Sequence, residues 1–246
     1  MKTTILIIIF FLRSYFSLSN CRDQWLRTWP ETEKINLNSI FVIEGVFWDK
    51  SLLGLSTKYP VYLKSKRDTI SLKLIKMNIG EAGLVQAIFM PYRKLKPNTT
   101  YKLIIDSLNY DDLSPRRGKK QEKSLWTTTN VVDSVSPVFI ESPKYLYSSY
   151  IRKGCGPESN VNFLALKKDN SECLVKVRVK NPNNKVTEFL IVPENDTISV
   201  GHGMCSGAYD FEQEGSYEIS FGLVDSSGNS IELFENKLYF VKPKEK

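Results

Sequence analysis

The densest chemistry in this chain is the run Gly201-His202-Gly203-Met204-Cys205-Ser206-Gly207, which holds its one histidine, a thioether and a thiol side by side. Three kinds of chemistry use such groups. Gly203 to Gly207 has the Gly-x-Cys-x-Gly spacing of a nucleophile elbow, but an elbow requires a strand before the nucleophile, a helix after it and a base from a later loop. The residues after Gly207 read as strand and turn, and no histidine follows. A metal site is the second kind, since His202, Met204 and Cys205 are soft or borderline ligands. A copper electron-transfer site uses two histidines and a structural zinc site four ligands at paired spacing, so His202 and Cys205 are weak metal candidates and no cofactor is expected.

The third kind is a disulfide. Cys155, in Gly154-Cys155-Gly156-Pro157, and Cys205 both sit in glycine-rich segments at expected strand ends, where the glycines serve backbone geometry. Pairing them closes a loop of about fifty residues, a stabilisation of roughly 4 kcal/mol by loop entropy. Cys155 with Cys173 is the alternative pair, and either leaves one cysteine over.

Oxidation of these thiols needs an exported chain, and the first residues supply that reading. Lys2 precedes the apolar run Ile5 to Leu12, which stops at Arg13 and is far shorter than the twenty or so residues of a membrane-spanning helix. A basic start, a short apolar centre and the small-residue tail Ser17-Leu18-Ser19-Asn20 are the pattern of a cleaved export signal, residues 1–20. Leu18-Ser19-Asn20-Cys21 resembles a bacterial lipobox, which makes Cys21 a candidate for lipidation and a membrane anchor. Asn20 stands where the lipobox has Gly or Ala. Cleavage after Ser19 is the competing reading and leaves Cys21 free to pair.

Composition bounds the fold. Four alanines stand against an abundance of Val, Ile, Thr, Tyr and Phe, which argues for an all-β chain. Of 246 residues, 34 are basic and 27 acidic, for a formal charge of +7. Much of the excess lies in one run, where Arg116, Arg117, Lys119, Lys120 and Lys123 face only Glu122. No aromatic residue interleaves with these charges as a single-strand platform needs, so the run reads as a solvated loop and nucleic acid is not an expected partner.

The strand pattern divides the chain. Residues 21–31 read as a lead-in without strong periodicity. Val61 to Leu63, a turn at Ser65 to Asp68 and Thr69 to Met77 form a hairpin with Ile70, Leu72 and Leu74 on one face. Leu84 to Met90 follows, stopped by Pro91. Pro97 and Asn98 then turn the chain into a strand whose inward face is Tyr101, Leu103 and Ile105. Residues 130–137 are a short polar linker. Beyond it Val138 to Ile140 and Val161 to Leu166 read as strands, and Val175, Val177 and Val179 alternate with Lys176, Arg178 and Lys180. Asn181 to Asn184 reverses the chain into Val186 to Val192. Glu214-Gly215-Ser216 enters a strand bearing Tyr217, Ile219, Phe221 and Leu223. Asp225 to Asn229 leaves it as a turn lacking the acidic density of a calcium loop. Leu238 to Val241 closes the sheet. Asn98-Thr99-Thr100 and Asn195-Asp196-Thr197 match glycosylation sequons but read as turns.

The segment Leu95 to Asp106 resembles the penultimate strand of bacterial immunoglobulin-like domains, and Leu125-Trp126-Thr127-Thr128-Thr129 their closing strand. Glu214 to Asn229 is similar to the ends of polycystic-kidney-disease-type, fibronectin type III and bacterial immunoglobulin-like domains alike. The resemblance implies two tandem immunoglobulin-like β-sandwich domains, residues 32–129 and 138–246, in a protein of the cell envelope. It also implies a tyrosine corner at Tyr217, with the hydroxyl bonded to upstream backbone. By the same analogy the chain is a non-enzymatic surface interaction, adhesion or spacer module, lipid-anchored or secreted, whose partner is a protein or a polysaccharide. The alternatives are a carbohydrate-binding accessory domain using Tyr145, Tyr147 and Tyr150, and a metal-binding envelope protein. No phosphate-binding glycine loop, histidine-carboxylate pair or carboxylate pair at a recognisable spacing is present.

Overall fold

The computed structural model describes residues 25–46, 49–107, 124–154, 156–169 and 171–245. The expected export signal at 1–20, Cys21, the basic run at 116–123 and Cys155 lie outside them. The chain is all-β; the helical content among the described residues is one turn, α1, Asp49–Leu52.

The first half is one eight-stranded sheet. Its strands are β1 (Trp25–Trp29), β2 (Lys34–Ile35), β3 (Phe41–Val46), β4 (Val61–Lys64), β5 (Thr69–Ile79), β6 (Leu84–Pro91), β7 (Thr100–Ile105) and β8 (Leu125–Thr128), in the order β1-β3-β6-β5-β4-β7-β8-β2. Pairing is antiparallel except between β2 and β8. β5 is the corner. Its first residues pair with β4 and the remainder with β6, and the register slips between Leu74 and Lys76. A bulge bends a strand and raises its twist, so the sheet folds over on itself. The proof is in the core, where Phe41 of β3 and Trp126 of β8 pack with ring centroids 4.9 Å apart although four strands separate them in the sheet. The expected inward residues Ile70, Leu72, Tyr101, Leu103 and Ile105 are all buried there. Trp25 to Trp29, within the expected lead-in, is instead a strand paired along its whole length with β3. It shows no alternation because both of its faces are partly covered.

The second half contains β9 (Val138–Phe139), β10 (Lys144–Lys153), β11 (Gly156–Leu164), β12 (Lys167–Lys168), β13 (Cys173–Lys180), β14 (Val186–Ile191), β15 (Thr197–His202), β16 (Ser216–Asp225) and β17 (Ser230–Val241). They form a three-stranded sheet β10-β11-β15, a four-stranded sheet β14-β13-β16-β17 and a short pair β12-β9. Val161, Phe163, Ile198 and Val200 from the first of these share a core with Val175, Val177, Tyr217, Ile219, Phe221 and Leu223 from the second. Phe163 meets Phe221 at 5.1 Å, so the two sheets are layered face to face. The β13–β14 hairpin has the expected wet face, and Asn184 at φ 64° supplies the left-handed residue of its turn. Asn98, Asn195 and Asp196 likewise have positive φ, as turn residues do.

A third apolar cluster joins the halves. Trp29, Ile40 and Val42 pack against Leu174, Leu190 and Val224, and Val46 and Leu84 extend into the second core.

Candidate functional site

The glycine-rich run forms a tight return at the end of β15. Gly203 N–H donates to Ser206 O at 2.9 Å, and Gly207 N–H donates to Ala82 O at 2.9 Å, tying the run to the β5–β6 turn of the other half. Here glycine is a steric necessity. A Cβ on Gly207 would stand 2.3 Å from His202 Cα, and one on Gly201, at φ +148°, would stand 2.0 Å from Ser159 O. No helix follows Cys205, so the elbow geometry is absent from these described residues. His202 is held by its own strand end: Nδ1 lies 2.9 Å from Gly203 O and Nε2 3.7 Å from Asp210 Oδ1. Burial raises the Asp210 carboxyl above its ordinary value, with His202 opposing that rise.

Cys173 is the free thiol among the described cysteines and Cys205 is not. Cys173 is buried beside Ser171 O, and desolvation, with Asp169 and Asp225 adding to it, pushes its thiol up to about 12. The alternative pairing of Cys155 with Cys173 is therefore overturned. The pairing of Cys155 with Cys205 falls on a residue outside those described.

Sequence reasoning missed the cleft that the Gly201–Ala208 run lines. It has a volume of about 1040 Å³ and opens between the halves. Its floor is the outer face of the three-stranded sheet, and the register shows which side chains share that face. Asn162 stands opposite Ser199 on one side and Tyr147 on the other, while Phe163 opposite Ile198 and Val161 opposite Val200 point into the core. The walls are Trp25 and Arg27 of β1, Val42 and Glu44 of β3, Leu84 and Gln86 of β6, and the Gly203–Ala208 return. Gln86 fixes the junction. Its Nε2 donates to Leu190 O at 2.9 Å and to Glu44 Oε2 at 2.8 Å, and its Oε1 accepts from Leu190 N–H at 3.1 Å and from Asn78 Nδ2 at 3.1 Å.

The three tyrosines expected to act together do not share a face. The register of β10 against β11 slips between Tyr145 and Tyr147, so Tyr145 stands opposite Phe163, whose ring it meets at 6.1 Å, and Tyr147 opposite Asn162. Tyr150, opposite Ser159, returns to the side of Tyr145. The bulge thus gives Tyr147 alone of the three to the cleft.

The Asp225 to Asn229 turn closes on itself, with Asp225 Oδ1 accepting from Ser227 N–H at 2.8 Å and Asn229 N–H at 2.9 Å. Asp133 and Asp169 bring carboxylate oxygens to within 4.8 Å of it, acidic density that no linear stretch shows. Burial raises the Asp225 carboxyl, opposed by its hydrogen bonds from Asn229 and Ser227. Among the described residues no helix is long and apolar enough to cross a membrane.

No family model matches the sequence, and no curated protein matches it. Solved structures similar to it include a type I pullulanase from Bacillus subtilis complexed with maltose, at 11% identity and a TM-score of 0.25, covering 93% of this chain and 28% of that one. Tandem Ig repeats of Dlar match at 8% identity and a TM-score of 0.24, covering 89% of this chain and 96% of theirs. The Yersinia pseudotuberculosis adhesin InvE matches at 12% identity and a TM-score of 0.22, covering 91% and 59%. The chain spans about a quarter of the length of the pullulanases it matches. Identities and scores this low show neither a family nor a function.

Proposed function

We propose that the chain is an exported, non-catalytic interaction module of the cell envelope or cell surface that recognises its partner in the cleft between its halves. The observation that carries this reading is the cleft itself. It is a large concavity whose lining sets amide, hydroxyl and aromatic side chains among aliphatic and charged ones, as in a recognition site. The groups in it suited to nucleophilic chemistry are already committed, since Cys205 is not a free thiol and His202 lies against Gly203 O and Asp210.

In this reading residues 1–20 are the export leader, Cys21 is the point of lipid attachment, and 32–129, with β1 added at the edge of its sheet, and 138–246 are two immunoglobulin-like units. Cys155 pairs with Cys205. The register supports the pairing, for Ser159 opposes His202 and a Cβ on Gly156 would lie 3.3 Å from Met204 O, which brings the neighbours of both cysteines together. The metal-binding alternative has less support, because the soft ligands His202 and Cys205 are engaged elsewhere.

A photo-crosslinking side chain at Ser199, in the cleft, tests the reading on intact cells. It is expected to trap a partner that the same group at exposed Lys66 does not. Equal trapping from both positions, or substrate turnover abolished by Cys205→Ala, would overturn it. Intact mass of the membrane-extracted protein tests the lipid, which is expected as an acylated mass beginning at Cys21.

A further inference from the structure

We propose that the occupant of the cleft is a neutral oligosaccharide; this rests on the cleft being the recognition surface. Asn162 carries the inference. It is only 6% exposed and lines the cleft floor, and its amide, which makes no side-chain hydrogen bond to another described residue, faces the cleft. Such an amide takes its donor and acceptor from cleft water or from a ligand that displaces it. The indole N–H of Trp29, 2% exposed and also in the cleft lining, is likewise unpartnered. An amide without a protein partner on the floor of a concavity is a ready donor and acceptor for a hydrogen-bonding ligand.

The lining narrows the class. A sugar hydroxyl donates and accepts at once, which an amide and a hydroxyl face such as Asn162 and Ser199 can meet at every position. Tyr147, 56% exposed beside them, offers a ring face to the apolar C–H side of a pyranose. Charge argues against an anionic ligand. Arg27 is committed to Glu31 and Glu158 to Lys153, His202 stands beside Asp210, and the other charged residues of the lining, Glu44 and Glu194, are acidic. The volume, about 1040 Å³, stands at the upper end of small-ligand sites, which span roughly 300–1,000 Å³.

Calorimetric titration of the intact mature protein with maltohexaose, cellohexaose and chitohexaose tests the proposal, alongside a heparin hexasaccharide and a set of extended decapeptides. At least one neutral hexasaccharide is expected to bind, and Asn162→Ala to weaken it about tenfold or more. Ser199→Trp, at an exposed position that fills the cleft without touching the core, is expected to abolish it. No neutral glycan bound, or binding indifferent to both variants, overturns the proposal. Peptide binding lost in both variants also overturns it, while leaving the interaction-module reading in place. A neutral glycan that binds and is hydrolysed sustains the sugar class and removes the non-catalytic reading.

Discussion

A buried phenol costs free energy unless its hydroxyl is paired, and both halves pair theirs with nearby backbone. Tyr101 OH accepts from Lys96 N–H at 3.2 Å and donates to Asp68 Oδ2 at 3.1 Å. Tyr217 OH donates to Gln213 O at 2.9 Å and accepts from Gln213 N–H at 3.1 Å, while its ring stacks on Phe240. This is the corner expected at Tyr217. Tyr217→Phe keeps the ring and leaves two backbone groups unpaired, so it is expected to cost about 1–2 kcal/mol, read as a lower urea midpoint at unchanged slope. Asp68 gives a pH signature. A hydrogen bond from Arg93 at 2.5 Å holds its carboxyl below the ordinary value of 3.8, against desolvation and with help from Tyr101 and Lys96. Its folded value lies below its unfolded one, so the stabilisation is whole above the unfolded value, about pH 4. It is lost as pH falls through the folded value. Stability curves of the wild type and Asp68→Asn should therefore draw together on acidification; a constant offset from neutral pH to pH 2 would reject the role.

At the scale of elements, β15 and the return after it depend on backbone proximity that side chains would destroy. Gly201→Ala puts a methyl group 2.0 Å from Ser159 O at a φ that L-residues avoid. Overpacking of that kind costs about 3 kcal/mol, expected as a large fall in the thermal midpoint. The proposed Cys155–Cys205 bond clamps the same strand end. Non-reducing peptide mapping should join the two cysteines, with Cys173 alkylated only after unfolding, and Cys205→Ser should cost about 2–5 kcal/mol. A map joining Cys205 to Cys21 would refute the pairing. These elements show what the sequence reveals. Strands with one wet face, such as β13 with its alternating valines and lysines, are legible because burial imposes a period of two. β1 escaped notice because both its faces are half covered, and β10 because most of it is exposed on both. The cleft escaped for another reason. Asn162 falls within the expected strand Val161 to Leu166, but a linear pattern does not say what faces it. Its neighbours on the floor and walls are drawn from β1, β3, β6 and β15, far away along the chain. The glycines at 201 and 207 could be read as backbone devices, but the contacts that require them lie at Ser159 and in the β5–β6 turn.

The cleft exists only while the two halves keep their relative placement, so the junction is the functional element of the whole molecule. Apolar packing alone does not set that placement, since it is non-directional; Gln86 does, by holding both backbone groups of Leu190 from a position 1% exposed. Ile40 N–H donating to Ser226 O at 2.9 Å, and Glu81 accepting from the Thr187 hydroxyl and from Asp210 N–H, fix the same junction at other points. Gln86→Leu preserves apolar contact but strands the Leu190 N–H and C=O, at a cost of about 2–4 kcal/mol. That cost falls on the coupling between halves, because each half keeps its own core. The tryptophans make the effect measurable: Trp25, Trp29, Trp48 and Trp126 all precede residue 130, so fluorescence reports the first half and, through Trp25 and Trp29, its seam with the second, while far-ultraviolet circular dichroism reports both halves. In the wild type the two probes should give one urea transition, as coupled halves require. In Gln86→Leu they should separate, and any glycan binding in the cleft should weaken with them. Coincident transitions in the variant would show that the apolar cluster of Trp29, Val42, Leu174 and Leu190 suffices to hold the halves together, and that Gln86 does not set the cleft.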